Sequence, residues 1–183
     1  MRVKDILKIS CTFLDKDDLA DKIITGETLL EEEEKMVEEL IDCLNLVNEE
    51  VSTEVLPIVK VEKIRTDNFK IPFSAFSFAP VSILAVKDCN GRTVRHKVFA
   101  DYVVALGGEV EVWYSVRPEL LSADSNVNST LPERVFAYGV AREFYIKKGF
   151  YNDAEVWDGR FKNSLEMLSN KKSSFQMAGR RWQ

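Results

Sequence analysis

His96 is the single histidine of the 183-residue chain, and it stands in the basic run RTVRHKVF, Arg92 to Phe99. An imidazole serves as a metal ligand or as the centre of a nucleophile-activating triad only when further ligands or a carboxylate are held beside it. A lone histidine on strand-like sequence fits a surface or packing role instead. Cys11, Cys43 and Cys89 are odd in number and far apart. They lack the short spacing of a metal knuckle, so reduced, buried thiols are expected. No G-x-x-x-x-G-K-[ST] loop occurs, and Gly107-Gly108 precedes strand-like rather than helix-like sequence, so it cannot open a dinucleotide-binding helix. The residues expected of an enzyme are missing: no catalytic group, cofactor or metal site is read from the chain.

Charge offers binding chemistry instead. Residues 15–54 hold 15 of the 30 acidic side chains and only Lys16, Lys22 and Lys35, a local charge of −12, so a total of −5 leaves +7 for the rest. Glu31, Glu32, Glu33, Glu34 and Glu38 lie near a helix start, where carboxylates suit unpaired amides, and they also offer a surface for a neighbour. No glycine follows at the spacing a calcium loop needs. At the other extreme, Lys171 to Gln183 (KKSSFQMAGRRWQ) has four cations and no acid. Phe175, Met177 and Trp182 among them are the anchors a partner-ordered segment needs, with Arg180 and Arg181 beside them. Arg92, Arg95 and Lys97 make a second basic patch, compatible with phosphate contact. The net negative charge and the lack of a recognition helix weigh against sequence-specific nucleic-acid binding.

The apolar fraction of 45% and charged fraction of 30% are those of a globular chain. No apolar run approaches the ~18 residues of a membrane span. The opening MRVKDILKIS lacks the pattern of a secretion signal, so a cytoplasmic origin is expected.

The elements that must position these groups are read from periodicity. Val3, Ile6, Leu7, Cys11 and Leu14 predict a first helix that Asp15, Asp17 and Asp18 break. A second helix is expected from a Thr28/Glu31 capping box to about Val55, with Met36, Leu40, Leu44, Val47, Val51 and Val55 as its stripe. Pro57 ends it, and the period changes to two. Strands are expected at Ile58 to Arg65, Phe69 to Phe73, Val81 to Lys87, Val94 to Phe99, Tyr102 to Leu106 and Glu109 to Val116. Asn90-Gly91 predicts a type I′ hairpin. Two further helices follow. One opens at a Thr130-Pro132-Glu133 capping box, has an apolar face including Val135, Phe136, Gly139 and Val140, and stops at Gly149. The next is capped by Asn152 and carries Trp157, Phe161, Leu165 and Leu168. The fold class is therefore α+β: a bundle of two N-terminal and two C-terminal helices with an inserted small antiparallel β-sheet or barrel and an extended C-terminal tail. Its parts are 1–56, the N-terminal helices; 57–118, the β module; 119–170, the helical hairpin; and 171–183, the tail.

Leu131-Pro132-Glu133-Arg134, the helix through Ala137 and Ala141 to Phe144 with Lys148-Gly149, the segment Tyr151 to Leu168 and the terminal Gly179-Arg180-Arg181-Trp182 resemble the head-to-tail adaptor (connector) proteins of short-tailed bacteriophages, the tail tubular protein A type. The resemblance implies a non-enzymatic virion protein of the phage neck, assembled in the host bacterial cytoplasm. It would form a ring, commonly twelve-fold, that joins the portal protein to a downstream nozzle or tail-tube protein and lets double-stranded DNA pass during genome ejection. Carried over, Lys171, Lys172, Phe175, Met177, Arg180, Arg181 and Trp182 become a portal-docking arm. Glu31 to Glu34 and Glu38 become an inter-subunit or channel surface. A stopper or tail-completion protein of a long-tailed phage is the alternative within the structural class, and an accessory nucleic-acid-binding protein is the alternative outside it.

Overall fold

The computed structural model describes residues 1–66 and 68–172, the last four of these for their backbone alone. Helices and antiparallel strands combine in an α+β fold with five helices and two three-stranded sheets among the described residues. The chain divides into two compact units: Met1–Val47 joined with Leu121–Gln183, and the intervening Asn48–Leu120.

The helical unit begins with α1 (Val3–Phe13), which buries Val3, Ile6, Leu7 and Cys11. Ser10 lies on the same face, and its hydroxyl donates to the Ile6 carbonyl at 2.9 Å, so a buried polar group is satisfied within the helix. Asp15 alone ends this helix, in a left-handed conformation at φ 55°. Asp17 and Asp18, expected to belong to the break, instead occupy the first turn of an additional helix α2 (Asp17–Thr25), where their charge opposes the unpaired amides. Three helices rather than two thus precede the strands. Gly26, at φ 74°, stops α2.

Helix α3 (Glu31–Glu50) starts two residues beyond the expected box. The Leu30 N–H donates to Glu33 Oε2 at 2.9 Å, half of a capping box made without the Thr28 hydroxyl. Leu40, Leu44 and Val47 are fully buried, and five π-helical residues, Val51–Val55, carry the helix to the expected end. Helix α4 (Glu133–Lys148) takes Pro132, not Thr130, as its N-cap, with no side chain bonding the first amides. Proline's fixed φ makes that entry without a hydroxyl. Gly149, at φ 80°, ends α4 as expected, and α5 (Tyr151–Lys172) starts one residue before the proposed Asn152 cap. It also runs two residues past Asn170. Helix α4 packs on α1 and α5, and α1 on α2. Phe13, Tyr138 and Trp157 gather in a three-ring cluster, the Phe13 centre 5.2 and 4.8 Å from the other two and those two 5.9 Å apart.

The second unit has strands β1 (Ile58–Arg65), β2 (Lys70–Pro72), β3 (Pro80–Lys87), β4 (His96–Val98), β5 (Tyr102–Ala105) and β6 (Glu109–Val116). They form two antiparallel sheets, ordered β1-β6-β3 and β2-β5-β4. One core joins the two, built on Ile64, Val86, Val110, Val112 and Tyr114 from the first sheet and Ile71, Val103 and Ala105 from the second. Each large side chain fully buried there contributes about 1.5–3 kcal/mol. Asn90-Gly91 does not make a type I′ hairpin: Gly91 has φ 77°, but Asn90 does not adopt positive φ. The Asp88 carboxylate organises this turn instead, accepting the amides of Asn90 at 2.9 Å and Arg92 at 2.8 Å. The chain then leaves β3 after an isolated bridge at Thr93 and enters the other sheet at His96.

Candidate functional site

The acidic start of α3 is the first surface the sequence singles out. Glu31 bonds Lys35 one turn on, at 2.6 Å, and Glu33 bonds Lys22 of α2, also at 2.6 Å. The Leu30 amide, then Lys22, hold the Glu33 carboxyl below its usual range, and the Glu33 bond in turn raises Lys22. Glu33 is therefore a strut between two helices rather than a free surface charge. Glu32, Glu34 and Glu38 are exposed. Beside them an open groove of about 620 Å³ is lined by Asp15, Asp17, Asp18, Glu32, Glu33 and Met36. No cluster of three metal-ligating side chains occurs among the described residues.

The proposed docking residues divide at the end of the described chain. Lys171 and Lys172 close α5. Phe175, Met177, Arg180, Arg181 and Trp182 lie outside the described residues.

The second basic patch takes its position from the register of the smaller sheet. In β4 and β5, His96 is opposite Ala105 and Lys97 opposite Val104, while in β2 Lys70 is opposite the same Val104. Ala105 is buried, so His96 sits on the inward-facing register, half-buried, its Nδ1 3.5 Å from the Val94 carbonyl. Lys97 and Lys70 share the outward register with Val104, one on each side. Pro72 pairs with Tyr102 on the next outward rung, and the Phe99 N–H donates to the Tyr102 carbonyl at 2.9 Å. Their rings stack at 4.9 Å and 18°, and Lys70 Nζ lies 5.1 Å from the Tyr102 ring centre. Arg95, Lys97, Val104 and Leu106 line an open depression of about 570 Å³. Arg92, Arg95 and Lys97 are exposed. Sequence reading found these three cations but not Lys70, Phe99, Tyr102 or Leu106. The missing signal was cross-strand register, which an alternating pattern in one short strand does not specify.

Other polar groups serve the fold. Arg142 is 8% exposed and bonds Glu143 Oε1 at 2.6 Å and Asp158 Oδ1 at 3.2 Å, with Phe161 under its guanidinium. The Tyr114 hydroxyl donates to Glu62. Of the cysteines, Cys11 and Cys43 are buried and Cys89 is exposed, a correction to the expectation that all three are interior. Cys89 falls in the Asp88–Arg92 turn, whose backbone is tied by Asp88 and leaves its side chain outside.

No helix among the described residues is long and apolar enough to cross a membrane. No protein-family model matches the chain, and no curated protein matches it significantly.

Proposed function

We propose that this chain is a structural subunit of a phage neck, a head-to-tail adaptor that binds a portal protein, assembles beside copies of itself in a ring and lets double-stranded DNA pass. The observation that carries the reading is the order of parts. A β unit is inserted, in sequence, between the two parts of a helical unit, and the final helix is followed by an acid-free segment. That is the order the resembling family has. Such an arm, with Arg and Trp at its tip, is suited to ordering on a partner, and Phe175, Met177 and Trp182 supply the apolar anchors. The acidic groove and the exposed Glu32, Glu34 and Glu38 then serve an inter-subunit or channel surface, where negative charge lets a polyanion slide rather than stick.

The test is co-sedimentation with the portal protein encoded beside it, comparing the full chain with a version ending at Lys172, which keeps α5 whole. Stoichiometric binding by the full chain, lost on truncation, is the expected result. Binding by neither version overturns the adaptor reading. Equal binding by both overturns the docking arm.

A further inference from the structure

The outward face of the β2-β5-β4 sheet sets exposed cations beside a stacked aromatic pair. Its centre is apolar, with Val104 half-buried and Leu106 64% exposed. Lys97 of β4 and Lys70 of β2 flank that centre on either side, their backbones two strand spacings, about 10 Å, apart. Arg95 extends the row along the same depression. At one end the Phe99 and Tyr102 rings stack, and Phe99 remains 44% exposed.

We infer that this face binds single-stranded nucleic acid, with an unpaired base stacked on the exposed Phe99 ring, which Tyr102 backs, further bases on the apolar stripe of Val104 and Leu106, and backbone phosphates held by Arg95, Lys97 and Lys70. Charge complementarity selects the occupant. Exposed cations beside an aromatic platform on a small sheet are the two requirements of single-strand binding: attraction for the backbone, and a ring on which any base can stack. The net charge of −5 does not oppose this, because at physiological salt a charge is screened beyond about 8 Å, so acids elsewhere on the chain reach this face weakly. Bases paired in a duplex are unavailable to Phe99, so the face discriminates against double strands. The inference rests on this sheet alone and does not depend on the adaptor reading.

Fluorescence anisotropy of a labelled oligo-dT 20-mer with the full chain tests it, against a duplex of equal length and across 50 to 200 mM NaCl. Three phosphate contacts predict a log–log salt slope of about −2, a loss of roughly 20-fold over that range. Arg95→Glu and Lys97→Glu are expected to flatten the slope as well as weaken binding. Phe99→Ala is expected to weaken binding about 5- to 150-fold with the slope unchanged, the behaviour of a lost stacking platform. All three positions are exposed, and Lys97→Ala replaces any reversal whose circular-dichroism melt shows lost folding. Tighter binding of the duplex, or undiminished binding by Phe99→Ala, overturns the inference. So does binding that survives these changes but is lost in Lys171→Glu/Lys172→Glu, which assigns it to the arm. No binding at all, with Lys97→Glu abolishing self-association in sedimentation equilibrium, assigns the face to a second copy instead.

Discussion

A β-carbon built on Gly139 of α4 would stand 2.6 Å from Cγ1 of Val47, the residue at which α3 leaves the helical unit, and 3.3 Å from the Phe161 ring. The absence of a side chain at 139 is what lets these elements approach. Gly139→Ala would ordinarily stabilise a helix interior by about 1 kcal/mol. Here the added methyl meets a stiff, fully buried valine, and overpacking of that kind costs about 1–3 kcal/mol. A net loss of up to about 2 kcal/mol is expected in urea unfolding. Pairing the change with Val47→Ala should recover part of it in a double-mutant cycle, and additive losses would show that the two residues do not compete for the space.

What the sequence disclosed and what it hid divide along physical lines. The alternation of Val110, Val112, Tyr114 and Val116 fixed both strand and face, because one side of β6 is buried along its length. Gly149 was legible as a helix stop because a left-handed terminus favours glycine. Helix α2 was hidden: its nine residues carry too short a period, and Asp17 and Asp18 read equally as a break or as first-turn charges. The Thr130 and Thr28 caps failed because a hydroxyl is one of several ways to satisfy a helix start. Glu33 provides another at α3, while α4 begins at Pro132 with no side-chain cap at all. At the candidate face the cations were visible as composition, whereas their companions Lys70 and Tyr102 come from strands whose pairing is long-range.

The three thiols should separate by reactivity. Burial pushes Cys11 and Cys43 up to about 11, and both are shielded, while Cys89 is exposed in its turn. Thiolate is the reactive form, so a disulfide reagent at pH 8 should label one thiol in the native protein and three after denaturation. Cys89→Ser should remove the fast phase. Rapid modification of two or more native thiols would contradict the placement.

Alkaline titration should report on Tyr114. Burial, then its hydrogen bond to Glu62, pushes this phenol up to about 12, from an ordinary value near 10. The raised folded value means that the native state holds the proton longer than the unfolded chain does. The associated stability is complete below about pH 10 and is lost as pH rises toward 12, by about 2 kcal/mol. Tyr114→Phe should abolish that share of the pH dependence. At neutral pH it should cost about 1.5–3 kcal/mol, because a charge-assisted bond is lost while Glu62 keeps its contact with the Ser77 amide at 3.1 Å. An unchanged alkaline profile in the variant would rule out this pair as its source.

The Asn45 side chain has a consequence for how the chain is made. It donates to the Leu121 carbonyl at 3.2 Å and accepts the Leu121 amide at 2.8 Å, fastening two points 76 residues apart. The Met1 ammonium donates to the Val127 carbonyl, and the Val3 amide to Ser125. Residues 1–3 therefore wait for partners synthesised more than a hundred positions later. At about 5–20 residues per second, that is a delay of some 6–25 s. Throughout it the apolar faces of α1 and α3 have neither α4 nor α5 to cover them, so the nascent chain exposes for that interval a surface that the finished protein hides.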